Sequence, residues 1–267
     1  MMRPIHTLTV LLSAGCILAT AANREGISPP RPADSVSVDI SVLDNGFPIR
    51  AFSVALPSVK QADTFFDFVE NDLAPAGINT LVVRVNWAYD FESRPELADP
   101  DGWNRALAGR LAALCREKGI RLVPLINLLG HQSWHGKAGK LLQVYPQFDE
   151  KPRVKLPENY VWPNPDRLYC KSYCPNHPEV HDVVFDCVDE VVEAFGATDF
   201  HAGLDEVFDL ADTDCPRCGG LDPAEVFAGE VNRIAAHLRR KGVRLWMWAD
   251  RLIDGRRDAS GYGEWSA

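Results

Sequence analysis

From Ala51 onward the chain repeats one hydrophobic theme. A stretch with apolar residues at helical spacing closes on a glycine, and a dense apolar run follows. Gly77 precedes INTLVVRVNW, Gly119 precedes IRLVPLINLL, Gly196 precedes ATDFHAGLDEV, and Gly242 precedes VRLWMWADRL. Glycine suits the left-handed residue that ends a helix. Runs that are apolar at nearly every position are strands of a parallel sheet covered on both faces. Asp222, Pro223 and Glu225 open a further helix with a capping pattern, and Val226, Phe227, Val231, Ile234 and Leu238 hold its apolar face. With AFSVALP as the first strand, the pattern predicts about five β/α units.

Such units close in two ways, as an open doubly wound sheet or as a barrel. No glycine-rich phosphate loop follows the first strand, which weakens a nucleotide-binding sheet. The polar residues gather where a barrel places its chemistry, at the C-terminal ends of strands. They are Asn86, Trp87 and Asp90 after the second strand, and Gly130, His131 and Trp134 after the third. Asp205 and Glu206 follow the fourth, and Trp248 and Asp250 the fifth. The fold class expected is α/β, a (β/α)8 TIM-type barrel over residues 51–267. Three of its eight units, on the order of 80 to 120 residues, would lie beyond the C-terminus of a truncated chain. A five-unit protein would leave a long exposed edge strand.

The first residues read as processing rather than fold. Residues 1–22 have Arg3, a short apolar run and an Ala19-Thr20-Ala21 cleavage pattern, as in a secretory signal peptide. Export to the periplasm or the medium is expected, with membrane association only if Cys16 carries a lipid. Residues 23–50 read as a Pro-rich linker and a lead-in strand ending in a turn at Asp44, Asn45 and Gly46. The net charge of -9 and the absence of a basic stripe give no nucleic-acid partner. Cys115 and Cys187 lie on apolar helix faces and read as buried thiols. Cys170, Cys174, Cys215 and Cys218 form two loop pairs, CKSYC and CPRC, open to disulfides, a four-thiolate zinc site or free thiols.

The segment FHAGLDEVF sets two adjacent acids at the end of an apolar strand. Burying either costs several kcal/mol unless it is paired or used. By period two, His201, Gly203 and Asp205 share the inward face, and Glu206 turns into the mouth just beyond. HAGLDE resembles the H-x-G-G-D-E motif of family 20 glycoside hydrolases, the β-N-acetylhexosaminidases. VPLINLLGHQSW and LWMWADRLID resemble that family's third and fifth strands, in the same order. The resemblance implies an exported retaining glycosidase that removes terminal β-linked N-acetylhexosamine without a cofactor or metal. The sugar's own acetamido oxygen is the nucleophile, an exception to the two-carboxylate scheme. Glu206 then corresponds to the general acid/base and Asp205 to the group orienting the acetamide. His131 corresponds to the family's Gly-His histidine near the acid and Trp248 to a wall of the acetamido pocket; Asp250, Asn86 and Trp87, at the same strand ends, are further candidates for substrate binding. The partner implied is a glycan or glycoconjugate. A carboxyl beside an ionised carboxylate keeps its proton to higher pH, which suits a general acid.

The sequence also departs from the family pattern. Leu204 replaces a glycine, at a position that faces outward. Pro57 and Ser58 stand where an arginine ends the first strand, and NWAYD replaces aspartates after the second. These changes favour a second reading, a non-catalytic carbohydrate-binding homologue. A metal-dependent barrel hydrolase would want paired histidines at the first strand end, and SVALPS has none. His201 reads equally as a core histidine bonded to backbone. The long, aromatic segment from Gly130 to Pro178 reads as a wall or lid over the cleft.

Overall fold

The computed structural model describes residues 46–161, 164 and 168–253. The expected signal peptide, Cys16 and nearly all of the lead-in segment lie outside the described residues. The strands in chain order are β1 (Ala51–Ala55), β2 (Thr80–Arg84), β3 (Arg121–Leu128), β4 (Ser133–Trp134), β5 (Lys137–Ala138), β6 (Asp199–Gly203) and β7 (Arg244–Trp246). β4 and β5 make a small hairpin. The other five form one parallel sheet in the order β1-β2-β3-β6-β7. Each strand therefore pairs with the sheet strand before it in sequence. A doubly wound sheet reverses its order at a switch point, and this sheet has none, so its order is that of a barrel wall.

The helices are α1 (Ala62–Phe68), α2 (Arg105–Glu117), α3 (Lys140–Val144), α4 (Val180–Ala194) and α5 (Pro223–Arg240). α1 widens into a π turn over Val69–Leu73, which the sequence pattern does not announce. Asn104 caps α2 by accepting from the Leu107 amide at 3.0 Å, and Asp222 caps α5 by accepting from the Ala224 amide at 2.8 Å. The glycines that precede β2, β3, β6 and β7 all have positive φ, so each helix stops where a residue with a Cβ would be disfavoured.

The sheet buries two faces. Outward, Val83, Ile126, Phe200 and Ala202 pack against Phe66, Leu111, Val184, Val188 and Leu238 of the helices. Each large apolar side chain fully buried there contributes about 1.5–3 kcal/mol. Inward, Val82, Val123 and Leu125 meet Trp246 and Trp248. The register puts Val82 opposite Val123, and His201 between Leu125 and Trp246. Toward the C-terminal end the pairing slips, so that Leu125 to Leu128 of β3 faces only His201 to Gly203 of β6. The extra residue bends β3 where its functional loop begins.

Charge at the opposite, N-terminal end of the strands is fully engaged. Asp199 is 1% exposed. Its Oδ1 accepts from Trp246 Nε1 at 2.8 Å and pairs with Arg244 Nε at 3.1 Å; its Oδ2 accepts from Thr198 Oγ1 at 2.8 Å. Among the described residues no helix is long and apolar enough to cross a membrane.

Candidate active site

β6 ends at Gly203, and a left-handed turn delivers the acids. Gly203 has φ 69°, Leu204 φ 67° and Glu206 φ 50°. Strand alternation therefore stops at Gly203, and the turn, rather than period two, sets where Asp205 points. A side chain at 203 would stand 2.5 Å from Asn127 Oδ1 and 3.1 Å from Asn127 Cα, so β3 and β6 approach too closely for anything but glycine. Leu204 does face outward, fully buried in the outer core. Gly130 plays a similar part across the cleft. A Cβ there would meet Val207 Cγ2 at 3.0 Å and the Asp205 carbonyl at 3.1 Å.

His131, in a left-handed conformation with φ 55°, faces both acids. Its Nε2 is 3.2 Å from Asp205 Oδ2 and 3.4 Å from Glu206 Oε2. Burial opposes charge on the ring, but hydrogen bonding to Asp205 and Cys170 outweighs it and raises the His131 pKa to about 10. The ring is therefore an imidazolium at neutral pH, set between the two acidic side chains. The three donor atoms lie within 4.8 Å of one another, close enough to hold a metal ion. The hydrogen-bonded imidazolium accounts for the same closeness without one.

Asp250, 8% exposed at the start of a 3-10 turn, accepts from the Glu206 amide at 2.9 Å through Oδ2. It thereby holds the acid's backbone in its left-handed conformation. Trp248 follows β7, donates its amide to the Gly203 carbonyl at 3.0 Å, and sets its ring 4.5 Å from that of His201. His201 itself is buried and accepts from the Gly203 amide through Nδ1 at 3.0 Å; burial lowers its pKa to about 4 and keeps it neutral. Asn86 and Trp87 lie further out. Asn86 Oδ1 accepts from the Asn127 amide at 2.9 Å, tying β2 to the bend in β3. Trp87 packs on the outer core beside Phe91, 6.3 Å between ring centres. At the end of β1, the Pro57 carbonyl accepts from Trp103 Nε1 at 2.8 Å and Ser58 bonds to Gln61.

Sequence reasoning missed Tyr169. Its hydroxyl donates to Glu206, and its ring lies 6.4 Å from His131 and 5.5 Å from Phe208. Burial, then the Glu206 carboxylate, push the phenol well above its ordinary range. Tyr169 sits far along the Gly130–Pro178 segment, which folds back on its own start. Gln132 donates its amide to the Lys171 carbonyl at 2.8 Å, and Tyr173 to the Leu129 carbonyl at 2.9 Å. The only signal in the sequence is the aromatic density of that segment.

The parallel barrel wall carries two acids and a histidine at the C-terminal ends of its strands, where barrel enzymes place their active sites. Residues 102–263 match the profile of the glycosyl hydrolase family 20 catalytic domain, and the chain belongs to that family. It is 29% identical over 136 residues to β-hexosaminidase A of Caenorhabditis briggsae, covering 48% of this chain and 22% of that protein. Its fold is similar to a β-N-acetylhexosaminidase from Bacteroides fragilis, with a TM-score of 0.56 at 18% identity over 76% of this chain and 42% of that one. It is also similar to a chitobiase from Flavobacterium johnsoniae, with a TM-score of 0.59 at 20% identity over 75% of this chain and 31% of that one. The chain thus spans less than half the length of these relatives. Their likeness supports the barrel class in part-barrel form.

Proposed function

We propose that the protein is an exported retaining glycosidase that removes terminal β-linked N-acetylhexosamine by substrate-assisted catalysis. The observation that carries this reading is the convergence of His131 Nε2 on Asp205 Oδ2 at 3.2 Å and Glu206 Oε2 at 3.4 Å. Family membership and the relatives' names agree with it. In the first step the acetamido oxygen attacks the anomeric carbon while the Glu206 carboxyl gives its proton to the leaving oxygen. Asp205 accepts from the acetamide N–H and offsets the positive charge that develops on the ring so formed. In the second step the Glu206 carboxylate takes a proton from water, whose oxygen attacks the anomeric carbon and reopens the ring with the β configuration retained. The charged His131 holds the Asp205 carboxyl in place through Oδ2 at 3.2 Å, and Trp248 offers an apolar wall to the sugar face or the acetamide methyl.

The test is release of p-nitrophenol from p-nitrophenyl β-N-acetylglucosaminide by the full-length protein and its Glu206→Gln variant. General acid–base catalysis contributes about 100- to 10,000-fold, so the variant should lose activity on that scale while staying folded. Sugar binding by both proteins without turnover by either would instead establish a carbohydrate-binding homologue. The altered ends of β1 and β2, where Pro57 and Asn86 serve backbone contacts, favour that second reading.

A further inference from the structure

Outside the cleft, three cysteines from two separate loops meet in one buried cluster. Cys174 closes the long segment after β3, and Cys215 and Cys218 lie in the turn after β6. Their sulfurs form a nearly equilateral triangle, with Cys174 to Cys218 3.5 Å, Cys174 to Cys215 3.4 Å and Cys215 to Cys218 3.3 Å. The Glu150 carboxylate closes the fourth side, its oxygens 2.7 and 2.9 Å from Cys218 Sγ. All four donors lie within 4.8 Å of one another and all four residues are buried. Cys170, which the sequence groups with them, lies instead against His131.

The backbone is shaped to make this cluster. Cys174 donates its amide to the Phe148 carbonyl at 2.7 Å, and Glu150 donates to the Ser172 carbonyl at 3.0 Å, so the two ligating residues ride on paired segments. The CPRC turn folds tightly onto its own carbonyls. A Cβ on Gly219 would meet the Cys215, Asp212 and Thr213 carbonyls at 2.6, 2.9 and 3.1 Å.

A disulfide does not explain the arrangement, and the Asp212 amide, which donates to Glu150 Oε1 at 3.3 Å, brings that carboxyl no cation. A disulfide needs sulfurs at about 2.05 Å and would leave the third thiol over. The triangle favours no pair. Glu150 is 0% exposed, and among the described residues no lysine, arginine or histidine pairs with it. Lys151 is engaged by Asp209 and Asp212, and Lys171 by Asp149. A carboxylate buried without a cation costs several kcal/mol. A tetrahedral zinc ion bonded to sulfur at about 2.3 Å holds its sulfurs about 3.8 Å apart, so each would retreat by only a few tenths of an ångström. Three thiolates with one carboxylate suit a borderline-soft cation and disfavour magnesium or calcium.

We propose that Cys174, Cys215, Cys218 and Glu150 form a structural zinc site. All four tetrahedral positions are filled by protein in a buried place, which is the closed form of a structural site rather than the open form of a catalytic one. The ion would fasten the loop carrying His131 and Tyr169 to the loop carrying Asp205 and Glu206. The inference does not depend on the glycosidase reading, and metal content reads it without any activity.

The experiment is elemental analysis of the full-length protein purified without chelator, followed by removal of the metal and titration with Co²⁺. The result expected is one zinc per chain and an intense thiolate-to-cobalt charge-transfer band with the visible spectrum of a tetrahedral ion. Cys215→Ser should abolish the stoichiometric zinc, and Cys170→Ser should keep it. Should Cys215→Ser fail to fold, Glu150→Gln reads the same ligand set, with zinc at least about tenfold weaker in competition with a chelator. The proposal is overturned by a disulfide among the three cysteines in the mass spectrum of the unreduced protein. It is equally overturned by folded protein that holds no zinc and gives no cobalt band, or by equal loss of zinc in Cys170→Ser.

Discussion

The two ends of the barrel wall treat buried carboxylates in opposite ways. At the N-terminal end, Asp199 has both oxygens engaged, by Trp246, Arg244 and Thr198. At the C-terminal end, Asp205 Oδ1 and Asp250 Oδ1 are buried without a partner among the described residues, as are Asp209 Oδ2 and Ser172 Oγ in the adjoining loops. The same rim holds the backbone's exceptions. Every non-glycine residue with positive φ among the described residues follows β2, β3 or β6. Each such residue costs about 1–3 kcal/mol, and each unpaired buried oxygen a similar amount. One end spends nothing on unmet polar groups, while the other carries several unmet demands within one cleft. That asymmetry separates a face built for stability from one built for chemistry.

The sharpest way to break the comparison is a matched pair of isosteric changes. Asp205→Asn should cut kcat toward p-nitrophenyl β-N-acetylglucosaminide by about 100- to 1,000-fold, the scale of losing one electrostatic contact to the transition state. Measured above about pH 10, where His131 is neutral and its pairing with Asp205 no longer contributes, the urea midpoint should hardly move. Asp199→Asn should leave kcat nearly intact and cost about 1–3 kcal/mol of stability, by leaving charged donors underpaired. Kinetics and urea unfolding of both variants decide it. If Asp199→Asn lost activity while Asp205→Asn lost stability, the division of the barrel into two faces would fail.

A second effect, on the order of 3–5 kcal/mol, separates two histidines of the cleft. His131 has a pKa raised to about 10 against an ordinary 6.5. Its contribution to stability is full below pH 6.5 and is lost as pH rises through 10. His201 has a pKa lowered to about 4. The unfolded chain takes up a proton there first, so stability falls as pH drops from 6.5 toward 4. Together they place maximum stability near pH 6–7. His201→Phe should flatten the acid side, and the His131 ring should stay protonated to about pH 9 in an NMR titration. Titration of His131 near 6.5 would remove the imidazolium from the mechanism.

The five units were legible because helical period, glycine stop and dense apolar run repeat in fixed order, and these signals are local. The acidic pair was legible for the same reason, since a strand end can be read from its own residues. The surroundings of the pair were not. Tyr169 reaches Glu206 only because the Gly130–Pro178 segment doubles back beside Leu129 and Gln132, a long-range pairing with no period to announce it. Asn86 and Trp87 looked alike in sequence, yet Asn86 braces β3 while Trp87 packs outward. Leu204 shows alternation giving the right face by the wrong route: it is outward and buried, but in a left-handed turn. Leu204→Gly should relieve about 1–2 kcal/mol of backbone cost and forfeit about 2–5 kcal/mol of packing. A net loss of up to about 4 kcal/mol by urea unfolding is expected, and a gain in stability would show that the turn outweighs the core.

The smallest effect tests whether Tyr169 belongs to the chemistry or only to the wall. Its hydroxyl donates to Glu206, and its ring packs beside Phe208, so Tyr169→Phe keeps the packing and removes one donor. A hydrogen bond donated to a carboxylate favours the charged form. Without it the charged form loses one stabilising contact, and the basic limb of kcat/KM should move upward. Proton donation is then aided and water activation hindered, so kcat at neutral pH should fall only about tenfold, equivalent to about 1.4 kcal/mol. A purely structural role would lower the urea midpoint and leave the pH profile where it was. A shifted limb at unchanged stability would place the phenol among the groups that set the acid, and would extend the chemical face of the barrel into the loop after β3.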